Sequence, residues 1–410
     1  MEVGAFDTKD VLALPRPENV PADRVFDFDI YREIPDGMDF HAFWRAIMEQ
    51  APHRLMWTPH NDGHWIALTA ELSDIVMSEP ERFSNNTVLV PKAAGEAYRL
   101  IPLSLDPPEH RPFRTLLNEN LGPKPLKPIE QAIVDLSAEL IDGFKDRGHC
   151  DFVEDFAEQL PVTIFMMLVD LPLADLPKLK HLADQFTRPD GSMTYPEVLE
   201  AFREYLTPVI AARRNGDGED MISRMVKGQI EGRELSEIEA LNICTQVLVG
   251  GLDTVVNMLG FTFSYLARDT KLRRAIASDP ALINDALLEF FRRFPVVSSS
   301  REVRADVEFD GVTLRQGDMV MSSTIVVSMD TGMNADPLDF RLQRPGRKHS
   351  TFGKGSHTCP GAHLARMEMK IVLQEWFARI PEFRLGEDRP LAYTNGIVGS
   401  VKPFTLVWDV

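Results

Sequence analysis

Phe352-Gly353-Lys354-Gly355-Ser356-His357-Thr358-Cys359-Pro360-Gly361 is the stretch on which the reading of this chain turns. It closes a segment, 330–360, that has no hydrophobic periodicity and many turn-forming residues. A run of that length without secondary structure inside a compact protein is usually functional. Glycines at 353, 355 and 361 leave the backbone free to wrap closely around the sulfur of Cys359. Helix-forming sequence resumes at Gly361, which places the positive end of a helix beside that sulfur. The default for a lone cysteine is an inert place in the core.

Working outward, the other cysteines, Cys150 and Cys244, stand far away and make no metal-type pair, which fits a reducing cytoplasm without disulfides. The 410 residues include 44% hydrophobic and 26% charged side chains, enough for a large core. No Gly/Ser linker, like-charge block or repeat divides them, so a single domain over 1–410 is expected. A net charge of −18 argues against nucleic acid as the main partner, because phosphate binding needs a cationic surface, and leaves room only for a local basic patch. The start of the chain mixes acids and prolines into every apolar run, so neither a signal peptide nor an anchor helix is expected. The stretch 247–267 (VLVGGLDTVVNMLGFTFSYLA) is long enough to span a membrane. Its central Asp253 would cost about 2.5–3.5 kcal/mol there, which favours a long helix buried inside a large soluble protein, expected to be a monomer.

Apolar spacings of three and four predict helices near 40–50, 66–79, 127–144, 153–169, 196–213, 236–268, 280–293 and 361–379. The helix at 236 opens with a capping box, Ser236 and Glu239, and is expected to run unbroken for about nine turns across the molecule. Short strands are expected at 64–69, at 306–314 with a turn at Asp310-Gly311, at 318–324 and at the carboxyl end. The expected class is mainly α with small peripheral sheets.

Two more motifs carry chemistry. Glu289 and Arg292 share a helix face three residues apart and can form a buried ion pair, with Arg344 as a third member. Gly250-Gly251-Leu252-Asp253-Thr254 sets an acid beside a threonine at a glycine-loosened turn. That arrangement suits proton delivery, and equally a polar notch in which Thr254 bonds back to the carbonyl of Gly250.

FGKGSHTCPG resembles the cysteine-ligand loop of the cytochrome P-450 superfamily at its five fixed positions, Phe352, Gly355, His357, Cys359 and Gly361. The resemblance implies haem b, with Cys359 as axial thiolate ligand of the iron, Phe352 and Gly353 around the sulfur, and His357 at a propionate. It places His110, Arg114 and Arg301 as further propionate partners. Oxygen would bind at Gly250 and Gly251, with Thr254 supplying a hydroxyl and Asp253 relaying protons from solvent.

Longer stretches (AGEAYRLIPLSLDPPEH, FTRPDGSM, LVGGLDTVVN, NGIVGSV) resemble the bacterial camphor hydroxylase family, in the same order over nearly the whole chain. This implies a triangular helical fold and electrons from an acidic 2Fe–2S ferredoxin fed by a flavoprotein reductase. Arg114, Lys354 and Arg366 would form the basic docking spot. Tyr98 falls where that family hydrogen-bonds a substrate ketone, and Arg188 where it pairs with the relay aspartate. Leu89, Leu100, Leu103, Val249, Val297, Ile397 and Val398 would form the apolar wall. Departures from that family are leucines at 89, 100 and 103 and Gln246 for a leucine in the pocket, Ser299 for an aspartate near a propionate, and Pro360 for a leucine after the cysteine. The expected reaction is hydroxylation of an unactivated C–H of a small cyclic terpenoid ketone, camphor or a norisoprenoid such as an ionone. The rivals are a non-oxygenating haem-thiolate sensor or isomerase and a hydrolase using Cys359 with His357.

Overall fold

The computed structural model describes residues 14–97 and 99–410. Helices start where the sequence supplies acceptors for their free N–H groups. Asp39 caps Phe40–Gln50, Thr69 caps Ala70–Ser78, and a capping box of Thr194 and Glu197 opens Tyr195–Asn215. Ser236 and Glu239 form the expected box at the head of Glu237–Gly251.

The run 66–79 divides in two: His64–Ala67 is a strand and the helix begins only after Thr69. At 153–169 a π-helical turn, Val153–Ala157, precedes the helix Gln159–Val169. Several helices lie outside the predicted set, among them His110–Leu121, Leu176–Thr187 and Thr270–Ser278. Each is only 9 to 12 residues long, and a helix of that length depends on tertiary packing for its stability.

The main sheet has five strands in the order Leu55–Thr58, His64–Ala67, Met319–Ser323, Ser298–Val303, Phe83–Ser84. Only the contact between His64–Ala67 and Met319–Ser323 is parallel. The hairpin Val307–Phe309 and Val312–Leu314 turns at Asp310 and Gly311, both at positive φ, as the Asp-Gly pair requires. One hydrophobic cluster takes residues from Phe28 to Leu406. Within it Phe152 stacks on Phe263 at 4.4 Å between ring centroids and meets the edge of Trp376. Burying a phenylalanine of this kind stabilises by about 1.5–3 kcal/mol. The helix Ala362–Arg379, which follows Cys359, packs on Ile129–Phe144 and Ile283–Arg293.

The nine-turn helix expected at 236–268 is two helices. Glu237–Gly251 stops, Leu252 keeps near-helical dihedrals as its C-cap, Asp253 leaves helical geometry, and Thr254–Arg268 resumes. Asp253 has φ −134° and ψ −41°, and its carbonyl accepts from Asn257 N–H at 3.2 Å, so it caps the second helix. Among the described residues this tract is long and apolar enough to cross a membrane, and most of it is buried in protein.

Candidate active site

The cysteine loop is built from backbone. Cys359 N–H donates to the Phe352 carbonyl at 2.6 Å, and Gly353 N–H to that of Ser350 at 2.7 Å. Gly353 and Gly355 take φ of 72° and 67°, the left-handed region that glycine reaches without strain. A Cβ on Gly355 would lie 3.3 Å from the Met77 carbonyl oxygen, so the loop also passes close to its neighbour. The Cys359 side chain is accessible yet deep among protein atoms. Desolvation pushes its thiol up, against the N–H groups of Gly361 and Ala362 and the charges of Arg114 and Arg366. Phe352 packs on Phe291 at 4.9 Å, and the Arg366 guanidinium lies 4.5 Å over the Phe352 ring.

Beneath the loop sits a charged brace. Glu289 accepts from Arg292, Arg344 and Arg347, each at 2.9 Å, and from Arg341 N–H at 3.2 Å. Arg292 donates onward to the carbonyls of Pro337 (2.6 Å) and Asp339 (2.9 Å). Burial pushes the Glu289 carboxyl up, and its arginines hold it below the usual carboxylate range. The irregular segment before the cysteine thus hangs on one buried carboxylate. Arg347 was absent from the sequence reading. Only its proximity to Arg344 in the chain hinted at it.

His110 and His357 lie with ring centroids 4.2 Å apart. Desolvation pushes His357 down to about 3, with the Arg301 charge adding to it, and lowers His110 too. Arg301 donates to the Ser300 carbonyl at 2.7 Å and to Ser299 Oγ at 3.2 Å. The Nε2 atoms of both histidines and Nε of Arg301 are buried without a partner among the described residues. Unfilled donors gathered in this way suit two carboxylates entering the interior. With a sulfur that receives two backbone N–H groups, they fit haem b. Arg114 is near enough to Cys359 for their charges to interact, while Lys354 is tied to Asp74 in an ion pair.

The break in the long helix is built from side chains. Arg188 clasps Asp253 through two bonds of 2.7 and 2.8 Å, and Asn257 Nδ2 adds a third at 2.9 Å. Lys180 stands 3.7 Å from the same carboxylate, and Asp184 accepts from both Lys180 and Arg188 at 2.6 Å. Burial raises the Asp253 carboxyl, but Arg188, Lys180 and Asn257 more than reverse this and hold it low. Lys180 and Asp184 were not singled out from sequence. Their spacing of four, Lys180 and Asp184 on Leu176–Thr187 and Arg188 capping its end, is the available signal. Thr254 Oγ1 donates to the Gly250 carbonyl at 3.3 Å, the polar notch foreseen as an alternative. A Cβ on Gly251 would fall 2.3 Å from the Phe165 ring, whereas one on Gly250 would meet nothing within 4 Å.

The wall residues are tied to this break. Arg188 also donates to the Val398 carbonyl at 3.1 Å, and Ile397 N–H to that of Thr187 at 3.2 Å. Val398 bridges Val297, and Ser300 N–H reaches the Val88 carbonyl at 2.9 Å. Leu89, Leu100, Val249, Ile397 and Val398 are buried, while Leu103 and Val297 are partly buried. Tyr98 lies outside the described residues.

Residues 166–380 match the family model for cytochrome P-450. A probable cytochrome P-450 127A1 from Sinorhizobium fredii is 31% identical over 410 residues, 98% of each chain. The chain belongs to the cytochrome P-450 family. It is a haem-thiolate monooxygenase of the bacterial camphor-hydroxylase-like kind, with haem b as cofactor and with O2, a small molecule and a redox partner as its reactants. A hydrolase built on Cys359 and His357 falls away with that membership. The solved structure of CYP101J2 matches this cytochrome P-450 at 71% identity and a TM-score of 0.91, covering 97% of this chain and all of that one. CYP101C1 matches at 38% identity and 0.88, with the same coverage.

Proposed function

We propose that this cytochrome P-450 hydroxylates an unactivated C–H of a small cyclic terpenoid ketone, camphor or an ionone, with electrons from an acidic 2Fe–2S ferredoxin and its flavoprotein reductase. One observation carries the reading: Arg188 holds both Asp253 and the carbonyl of Val398, so the apolar wall and the buried acid share one anchor. Haem b supplies the activation of O2. Cys359 would ligate its iron within the cradle of Phe352 and Gly353, and His110, Arg114, Arg301 and His357 would hold its propionates. Asp253 and Thr254 would pass protons at the break, where Gly250 leaves room and Gly251 packs on Phe165. Leu89, Leu100, Leu103, Val249, Val297, Ser299, Ile397 and Val398 would shape the pocket, and Tyr98 would donate to the ketone. Arg114, Lys354 and Arg366 would steer the ferredoxin. The chain would act as a single soluble domain over 1–410, a cytoplasmic monomer; the large hydrophobic cluster from Phe28 to Leu406 supports the single domain.

Titration of the purified holoprotein with camphor and β-ionone, read by the spin-state shift of the haem, tests the substrate class. Expected is a low-spin to high-spin change at micromolar ligand. A panel in which only acyclic or charged compounds produced it would remove the terpenoid reading. Cys359→Ser is expected to abolish the red-shifted Soret band of the reduced carbon monoxide form, and a retained band would remove Cys359 as ligand.

A further inference from the structure

We infer that Gln246 is a second polar anchor of the pocket, its side-chain amide hydrogen-bonding an oxygen of the substrate; this rests on the pocket assignment above. Gln246 lies four residues before Gly250 on Glu237–Gly251, so the two share a helix face. Between Ile243 and Leu252 the residues that escape full burial are Gln246, Gly250 and Gly251. Gly251 is backed by the Phe165 ring, and Gly250 looks into open space. The open side of this helix is therefore the side of Gln246 and Gly250, and Thr254, bonded to the Gly250 carbonyl, continues the same line.

Along that line Gln246 presents a buried amide oxygen, Oε1, that has no partner among the described residues. A glutamine amide carries two donors and an acceptor, and leaving such a group unmet in the interior costs free energy. If Leu89, Leu100, Leu103 and Val249 line the pocket as proposed, their side chains carry no polar atom that could meet it. A hydrocarbon in the pocket would leave the amide unsatisfied. A compound with a carbonyl or hydroxyl at that height would satisfy it, because either end of the amide can turn toward the ligand. A site built to bond an oxygen rejects the analogue that lacks it far more strongly than it rejects a change of one methylene. The substrate class is thereby narrowed to cyclic compounds whose oxygen lies toward the amino-terminal side of Gly250, and Gln246 sets which carbon faces the reacting centre.

The probes are camphor and bornane, which share a carbon skeleton and differ in the ketone. The holoprotein and its Gln246→Leu and Gln246→Met variants are titrated with both by spin-state shift, and the products from camphor are resolved by position. Expected is a loss of about tenfold in the preference for camphor over bornane in both variants, together with a changed product ratio. An unchanged preference and product ratio overturns the inference, as does failure of both variants to hold haem, which would make Gln246 a structural residue. Tyr98→Phe is run in parallel. If it shifts the preference while the Gln246 variants do not, the ketone reading stands and this inference alone fails; if no variant shifts it, or neither probe binds, both fail.

Discussion

The cysteine loop and the break in the long helix hold their functional atoms by different means. At 352–361 the work is done by main chain: N–H groups of Gly361 and Ala362 reach the sulfur, and glycines take the dihedrals that let the loop close. At 250–254 the work is done by side chains from other elements, since Arg188, Lys180 and Asn257 fix Asp253 where the helix parts. The first device closes through contiguous backbone, although Glu289 and Phe291 brace it from another helix. The second exists only when Leu176–Thr187 and the loop carrying Val398 are docked on the helix.

The largest expected effect separates the two regions directly. Asp253→Asn should lower turnover on the order of 10²–10⁴-fold, the usual contribution of a positioned proton donor, while the carbon monoxide spectrum of the Cys359 side stays unchanged. Full turnover in this variant would break the assignment of proton handling to the helix side. Next, Glu289→Ala leaves Arg292, Arg344 and Arg347 buried without their carboxylate and should cost about 3–5 kcal/mol in chemical denaturation, with haem loss preceding unfolding. A loss within 1 kcal/mol would show that the backbone loop needs no charged brace, to order of magnitude. Smaller still, Gly251→Ala drives a Cβ into Phe165 and should cost about 1–3 kcal/mol, whereas Gly250→Ala finds free space and should leave thermal stability nearly unchanged. Equal costs would erase the distinction between the packed and open sides of the helix.

The mildest test is pH. Burial, with Arg366, Arg347 and Arg292 adding to it against Glu289, pushes His349 beside the cysteine loop down to about 4. The unfolded chain protonates this histidine near 6.5, before the folded one does, so its contribution is whole above that pH and is lost as pH falls from about 6.5 to 4. Asp253 has its carboxyl lowered, so its contribution is present above the unfolded carboxylate value and is lost only as pH falls below it. Denaturation midpoints should therefore decline over this range on account of buried histidines, His349 among them with His41 and His64, before the Asp253 contribution is lost. His349→Leu should flatten the decline between pH 6.5 and 4.5, and an unaltered slope would sink this ordering.

Legibility follows the same division. The Asp310-Gly311 hairpin, the Ser236–Glu239 box and the cysteine loop were readable because turn, cap and loop each depend on residues a few positions apart. The helix Leu176–Thr187 was missed, since its apolar stripe is short, and with it went Lys180 and Asp184. The interruption at Asp253 was only half legible: Gly250 and Gly251 loosen the turn, but the apolar periodicity runs on past it without proline.

By itself the sequence determined the cradle around Cys359, since glycine positions and amide directions are properties of contiguous backbone. Only the tertiary structure decided that Asp253 leaves the helix. Its partner Arg188 is 65 positions away in the chain, and a buried carboxylate goes where its countercharge is rather than where local periodicity would put it.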